Sequence, residues 1–392
     1  MLKAVIFDMD GVIIDSEPTN LRALHQALLA CGIHASKEYC DRFIGCSLPN
    51  TASIAGKDFS TEINTKVLQT NYIKYQTELI QSEGYQPIYG TVALIKELHQ
   101  HGIKLAIASS SSIHEIRQMA ESLNLIEYFD ELVSGHEVEH SKPSPDVFLL
   151  AAKRLNMQPE ECLIIEDSMN GTLAAKAANI TCIGFQNTNS GNQDLSKAYS
   201  IVLDMDGIDY SYVLEQHCHA HNLPFTVLTT SHVTVRELAV NDIDALIELY
   251  ECESAKTYLP PLSSREEELE KLSAYIRHMY HFTGFGLWGV FLNDSQQLIG
   301  RIGIQSTEIH ENTEVELGYF IHDDYQRQGL ASEVISSLLP LVKERFELES
   351  IVAKITPNNQ ASIQLAQKFG FIKEEFLLDA KNNYDLYRLV LI

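Results

Sequence analysis

The sequence predicts an α/β domain with a parallel sheet and a helical insert, followed by a mixed α+β domain. Three observations carry this reading. Short apolar strands alternate with helical stretches over the first half of the chain, and such alternation implies a parallel sheet covered by helices on both faces. The alternation breaks at the polar stretch Glu215–Pro224, EQHCHAHNLP, which places the domain boundary between Asn222 and Leu223. Beyond it two strands, Trp288–Leu292 and Leu298–Gln305, are joined by the turn NDSQQ, a connection too short for a parallel crossover. The length of 392 residues agrees with two to three domains of roughly 150 residues each.

The elements follow in order. Residues 3–7 (KAVIF) form an apolar strand cut off by acids, which reads as a buried strand and not as a signal peptide. From about 16 to 85 the apolar spacing turns helical, as in Leu21, Leu24, Leu28 and Leu29, and this is the insert. Strands are then expected at Lys104–Ala108, Leu163–Ile165, Thr181–Phe185 and Ile201–Leu203, with helices such as Ile113–Leu123 and Gly171–Asn179 between them. In the second half Val233–Glu237 opens the pattern. A helix follows at Asp242–Tyr250, and a charged helical region reaches about Tyr280. After the hairpin come strands at Glu314–Ile321, Ile351–Ile355 and Tyr384–Val390, separated by helices at Ala331–Phe346 and Gln360–Phe369.

The charge balance excludes some partners. Residues 1–222 hold 15 basic and 28 acidic residues (−13), and residues 223–392 hold 14 and 25 (−11). With both halves acidic and no basic arm, nucleic acid is not an expected partner. Any site for a phosphate or another anion must be built locally, from backbone N–H groups and a few cations. The seven cysteines are scattered, with no CxxC pair, as in a reduced, cytoplasmic protein. No stretch approaches the roughly 20 apolar residues that span a bilayer.

Asp8 and Asp10 close the first strand. Lying two apart, they share one side of it, and Gly11 permits a tight turn. One carboxylate of such a pair can attack phosphorus while the other exchanges protons with the leaving or entering oxygen. Together they suit Mg²⁺, a hard cation that prefers oxygen ligands. Ser109 ends another strand and opens a run of hydroxyls, Lys142 in SKPSPDVF offers a fixed cation, and Glu166 and Asp167 stand at a third strand end. Ligands of parallel sheets gather at such ends. Asp204-Met205-Asp206-Gly207 repeats the opening tetrapeptide with no such partners downstream, so it reads as an ordinary turn.

DMDGVIIDSE, ASSSS, SKPSPDVF and IIEDSMNGTLAAKAA, in that order, resemble the motif series of the haloacid dehalogenase (HAD) superfamily over about residues 1–215. The resemblance implies a Rossmann-like domain whose insert is a cap closing over the substrate. It implies Asp8 as the nucleophile that forms an aspartyl-phosphate, and Asp10 as the general acid and base. Ser109 and Lys142 would bind the transferring phosphoryl group, and Asp8, the Asp10 carbonyl oxygen, Asp167 and Glu166 would hold Mg²⁺. DSEP and the cap placement are similar to sugar-phosphate phosphatases and β-phosphoglucomutase. Asn20 stands where those mutases usually carry His, and Leu48 where they usually carry Arg. A phosphatase acting on a small phosphate ester is therefore expected, with a phosphomutase as the alternative.

The second half has its own motif. A strand ending in Tyr319-Phe320-Ile321 runs into Gln326-Arg327-Gln328-Gly329-Leu330-Ala331, which opens a helix. A glycine there lets a ligand approach the backbone, and the helix N-terminus supplies unpaired N–H groups. With NQASIQLAQKFGF further on, this is similar to the GNAT acyltransferases, in the branch that holds the ribosomal-protein N-terminal acetyltransferases, from about Val233 to Ile392. The resemblance implies acetyl-CoA as co-substrate and an amine as acceptor. Gln326–Ala331 would take the pyrophosphate, Tyr319–Ile321 would pair with the pantetheine, and Asn359 and Ser362 would line the cofactor. Ala366 occupies the place where many of these enzymes carry a proton-donating Tyr. Glu316 is the expected base, with Glu314 as second choice. The whole then reads as a bifunctional enzyme. A catalytically inactive, acetyl-CoA-sensing second domain that regulates the phosphatase is the rival reading.

Overall fold

A computed structural model describes residues 1–378 and 383–391. It divides into two compact units, Met1–His221 and Asn222–Ile392.

In the first unit, six parallel strands lie in the order β3-β2-β1-β4-β5-β6. They are β1 (Ala4–Phe7), β2 (Lys104–Ser109), β3 (Glu131–Ser134), β4 (Cys162–Glu166), β5 (Thr181–Phe185) and β6 (Ser200–Val202). β1 is central and buried throughout, which is why it is an unbroken apolar run and not an alternating one. Val5 and Phe7 pack with Leu94, Ile116 and Val213 on one face. Ala4 and Ile6 meet Phe148 and Ala174 on the other. The insert holds helices α1 (Glu17–Ala30), α2 (Lys37–Asp41), α3 (Leu48–Asp58) and α4 (Thr65–Glu83). They close a separate small core around Leu24, Leu28, Phe43 and Leu68. The sheet is covered by α5 (Thr91–Gln100), α6 (Ile113–Ser122), α7 (Asp146–Arg154), α8 (Met169–Ala177) and α9 (Tyr210–Ala220).

Two elements of this unit were not expected. β3 is a four-residue edge strand with Glu131 and Leu132 only half-buried, so it lacks a sustained apolar signal. The polar stretch at the boundary is helical as far as Ala220, because Glu215, His217, Cys218 and His219 are buried on α9. Burial pushes the His217 imidazole down to about 4, so near neutral pH it is an uncharged packing residue.

The second unit is an eight-stranded sheet in the order β13-β14-β12-β11-β10-β9-β8-β7. The strands are β7 (Thr226–Thr229), β8 (Val233–Arg236), β9 (Leu287–Leu292), β10 (Leu298–Ile309), β11 (Asn312–Ile321), β12 (Ser350–Ile355), β13 (Ile372–Leu378) and β14 (Asn383–Val390). β11 and β12 run parallel, with Glu316 opposite Val352, and the other neighbours are antiparallel. Helices α10 (Ile243–Leu249), α11 (Glu253–Tyr258) and α12 (Arg265–Tyr275) precede the hairpin, and α12 runs through a π-turn, Ile276–Tyr280, into the short α13 (His281–Thr283). α14 (Leu330–Phe346) joins β11 to β12, and α15 (Gln360–Lys368) follows. Trp288, Ile302, Ile304, Val334 and Leu338 form the centre of the core.

Candidate active sites

The strand order reverses direction around β1, and the first site lies there, at the C-terminal strand ends, as expected for an open parallel sheet. The Asp8 N–H donates to Ile165 O at 3.0 Å, which locks the end of β1 against β4. Lys142 Nζ donates to Asp8 Oδ1 at 2.5 Å, to Glu166 Oε2 at 2.8 Å and to Ala108 O at 3.3 Å. Glu166 Oε1 accepts from Asp167 N, Ser168 N and Ser168 Oγ. Both Glu166 oxygens are thus occupied. Ser190 Oγ donates to Asp167 Oδ2 at 2.5 Å. Two glycines let these side chains close in. A Cβ on Gly11, whose φ is +79°, would stand 1.9 Å from Asp167 Oδ2. One on Gly171 would stand 1.9 Å from Glu166 Cδ.

Asp8, Glu166 and Asp167 bring carboxylate oxygens within 4.8 Å of one another, all buried. Lys142 is the one cation among the residues lining the cleft of about 260 Å³. Negative charge is therefore in excess. Burial first, and Glu166 second, hold the Asp8 carboxyl well above the usual range, and the same two causes raise Asp167. Although burial alone would lower the Lys142 ammonium, Asp8 and Glu166 keep it above its ordinary value. A divalent cation on the free oxygens of this cluster would relieve the repulsion, so the donor set fits Mg²⁺.

Asp10 stands apart from the cluster. Ser111 Oγ donates to its Oδ2 at 3.1 Å. Burial raises its carboxyl, against the hydrogen bonds from Ser16 and Ser111, a setting that suits a proton donor. Ser109 is buried, and its Oγ accepts from Ser111 N at 3.1 Å. On the cap side Glu17 and Asn20 line the cleft, and Gln76 Nε2 donates to Asn20 Oδ1 at 2.7 Å. Leu48 packs against the cap core instead. Sequence reasoning missed Ser111, Ser190 and Asn187, whose Nδ2 donates to Gly11 O at 3.0 Å. The last two follow β5, so the strand-end rule that selected Glu166 would have reached them. At the repeated tetrapeptide, Asp206 N donates to Asp204 Oδ1 at 2.9 Å in an exposed turn.

In the second unit, β10 borders β11 from Asn312 to Ile321, whereas β12 pairs with β11 at Glu316. Toward Tyr319–Ile321 the β12 side of the strand carries no ladder bond among the described residues. Gly329 caps α14 with φ +87°. The first amide of this turn with a backbone acceptor is Glu333 N, on Gly329 O, which leaves the N–H groups of Leu330, Ala331 and Ser332 for a ligand. The side chains of the motif are placed otherwise. Leu330 is buried in the core, and Gln326 Nε2 braces the loop through Ile321 O and Asp323 Oδ1. Gln328 Nε2 bonds Asp324 O, and Arg327 is exposed at φ +59°. Asn359 Oδ1 caps α15 by accepting from Ser362 N, and Ser362 O accepts from Tyr319 Oη at 2.8 Å.

The two acids of β11 differ sharply. Arg388 grips Glu314 with two nitrogens, and this bond holds the Glu314 carboxyl below its usual range. Glu316 is buried. Lys354 Nζ lies 3.3 Å from its Oε2 but out of line for a hydrogen bond, and that oxygen has no donor.

Residues 5–185 match the haloacid dehalogenase-like hydrolase family, and residues 232–372 match the GNAT acetyltransferase domain. A phosphorylated carbohydrates phosphatase of Thermotoga maritima is 31% identical over 180 residues, which is 46% of this chain and 82% of that protein. Hexitol phosphatase B of Escherichia coli K12 is 30% identical over 191 residues, again 46% of this chain and 82% of the relative. The crystal structure of a β-phosphoglucomutase from Clostridium difficile superposes with a TM-score of 0.46 at 24% identity, covering 56% of this chain and 98% of that one. No helix among the described residues is long and apolar enough to cross a membrane. With the strand-end cluster, the family match and relatives covered over four-fifths of their length, the chain belongs to the haloacid dehalogenase-like hydrolases and carries a GNAT acetyltransferase domain in its second half.

Proposed function

We propose that the chain is a bifunctional cytoplasmic enzyme, with residues 1–222 a Mg²⁺-dependent phosphatase of a small sugar phosphate and residues 223–392 an acetyl-CoA-dependent N-acetyltransferase. The observation that carries the first half is Lys142 bridging Asp8 and Glu166 beside Asp167. When bound, Mg²⁺ supplies positive charge to the phosphoryl oxygens and to the ionised form of Asp8. Asp8 attacks phosphorus and becomes an aspartyl-phosphate. Asp10 donates its proton to the departing sugar oxygen, then accepts one from the water that hydrolyses the acyl phosphate. Ser109 and Lys142 hold the phosphoryl oxygens. Asp8, the Asp10 carbonyl oxygen and Asp167 would hold the metal. Glu166 lies close enough to join them, but its oxygens are taken by Lys142, Ser168 and the Asp167 amide, and we assign it to fixing Lys142.

Phosphatase is favoured over mutase because the cleft offers a second phosphate no cation: Lys142 is already engaged at the first, and Glu17 and Asn20 face the substrate from the cap. The names of the relatives favour a phosphorylated carbohydrate or polyol. The test is phosphate release from a sugar-phosphate panel with and without Mg²⁺, beside Asp8→Asn. Full activity in that variant overturns the assignment, and an isomerised sugar phosphate in place of free phosphate restores the mutase.

In the second half, Gln326–Ala331 cradle the pyrophosphate through the amides of Leu330 and Ala331, and the open edge of Tyr319–Ile321 pairs with the pantetheine. Asn359 and Ser362 support this edge through Tyr319. Glu316 is the base that takes a proton from the acceptor amine. Thiol release from acetyl-CoA with an amine panel separates an active domain from a sensing one.

A further inference from the structure

Arg301 lies near the start of β10, opposite Phe320 of β11 and Gly289 of β9. Residues opposed in an antiparallel ladder share a face, as do residues two apart in a strand. By the pairs Arg301 with Phe320 and Gln305 with Glu316, Arg301 and Glu316 look out from the same side of the sheet.

The surroundings of Arg301 are unusual for a cation. Its Nη2 donates to Leu287 O at 3.0 Å and its Nη1 to Tyr250 Oη at 3.4 Å. Its guanidinium lies 5.3 Å from the centre of the Tyr275 ring. Its Nε is buried with no hydrogen-bond partner. None of its hydrogen bonds or ion pairs among the described residues is to a carboxylate. A guanidinium has five N–H donors, and two are used. A half-buried cation that the fold leaves without an anion is costly unless something else brings one.

The tyrosines are placed by an irregular backbone. Tyr275 and Tyr280 are five residues apart, which in an α-helix sets them about 140° apart. The π-turn Ile276–Tyr280 widens the helix, so both rings reach the same spot, 5.3 Å apart and edge to face. Tyr280 Oη donates to Leu287 O at 2.7 Å, and Leu287 N donates to Tyr275 Oη at 2.6 Å. Such turns gather at functional sites. Tyr250 also lines a cleft of about 510 Å³ with Glu251, Lys256 and Ser263, so the pocket around Arg301 adjoins open space.

We propose that Arg301, with the hydroxyls of Tyr250 and Tyr275, is an anion-binding subsite for the acetyl acceptor, which is therefore an amine that also carries an oxyanion. The proposal rests on the second domain being an acetyltransferase. Its guanidinium edge would take the carboxylate or phosphate, the tyrosine rings would exclude water around it, and Glu316 on the same face would receive the ammonium proton.

The test uses the full chain and pairs of amines that differ only in the anion: an amino acid against its amide, and an aminoalkyl phosphate against the amino alcohol. Thiol release from acetyl-CoA should favour the anionic member of one pair, and which pair responds tells carboxylate from phosphate. Arg301→Met should raise KM for that member by about 10- to 100-fold and leave the neutral amine unchanged, and Arg301→Lys should restore part of the loss. Equal use of both members, or an unchanged preference in Arg301→Met, overturns the proposal. The chain's one tryptophan, Trp288, sits on β9 opposite Ile302, so its emission reports on this domain alone. Titration with glutamate or with phosphate, according to the anion the site takes, should change that emission saturably in the wild type and not in Arg301→Met. Turnover without anion preference removes the subsite and keeps the acetyltransferase. No turnover with any amine but a saturable, Arg301-dependent response removes the acetyltransferase and keeps the anion site. No response and no turnover remove both.

Discussion

Replacing Lys142 with Met would expose how much of the first domain's stability depends on a single positive charge. The side chains of Lys142 and Asp8 are only 7% and 9% exposed, and that of Glu166 1%. Methionine fills the same space, so the change is almost purely one of charge. It leaves Asp8, Glu166 and Asp167 buried together with no cation. Removing one partner of a buried pair costs about 3–5 kcal/mol, against a total of about 5–15 kcal/mol for an ordinary domain. At about 2–4 °C per kcal/mol for a domain of this size, the first transition should fall by about 6–20 °C. Calorimetry without Mg²⁺ measures this, and Trp288 emission follows the second domain as an internal reference that should not move. Mg²⁺ should recover more stability in the variant than in the wild type, since it returns positive charge to the same carboxylate cluster. Adding Glu166→Gln to Lys142→Met should cost less than the sum of the two single changes, because the lysine's partner is then neutral. A transition within about 2 °C of the wild type would show that the lysine does not neutralise the cluster. Phosphate release should be lost in either case.

Four other outcomes follow from the same geometry. Gly171→Ala lies inside α8, where alanine normally adds about 1 kcal/mol; here its Cβ would meet Glu166 Cδ at 1.9 Å, so denaturant unfolding should show a loss of stability instead, together with reduced phosphatase activity. Glu314→Gln should leave acetyl transfer intact, while Glu316→Gln should lower its kcat. Arg388 depresses the folded-state pKa of Glu314, so the pair's contribution of about 1 kcal/mol is complete above the unfolded value of about 4.3 and is lost as pH falls through the lower folded value; melting curves of the wild type and Glu314→Gln should converge at low pH. Asp204→Asn should change stability by less than about 0.5 kcal/mol and phosphate release not at all.

The layers of the fold were legible because their periodicities are strong. β1, β2, β4 and β5 are apolar runs with turn residues at their ends, and the cap's helical spacing is unbroken from Leu21 to Leu29. β3 was not, since a short edge strand buries too little to need a pattern. α9 hid for the opposite reason: its buried face is built from Glu215, His217 and His219, which read as solvent-facing until the fold encloses them. Among the site residues, acids and cations at strand ends were visible, but their division of labour was not. That Glu166 holds Lys142 depends on Gly171 and Ser168 shaping the first turn of α8, which no spacing reveals. Arg301 was invisible for a related reason. In LIGRIGI it is one arginine in a hairpin, and only the folded chain shows tyrosines of a π-turn around it and no carboxylate paired with it among the described residues.

The two copies of Asp-Met-Asp-Gly show where such information resides. Both follow an apolar strand, and both glycines take φ +79°, so the tetrapeptide and the conformation of its glycine are the same. At Asp204 the side chain is satisfied two residues away, by the Asp206 amide, and both carboxylates of the turn stay exposed while Met205 alone enters the core. At Asp8 the corresponding donor is Lys142, 134 residues further on, and the glycine is pressed against Asp167 and Ser190. The difference between a turn and a reactive site is therefore set by what the topology delivers to it. β1 is central, so the loops that follow β2, β3, β4 and β5 converge on its end. β6 is an edge strand with β5 alone as neighbour, so Asp204 receives nothing. A carboxylate gains a raised pKa, a buried cation and room for a metal only when several strand ends converge on it, and the position of a strand in the sheet order decides this before its own residues do.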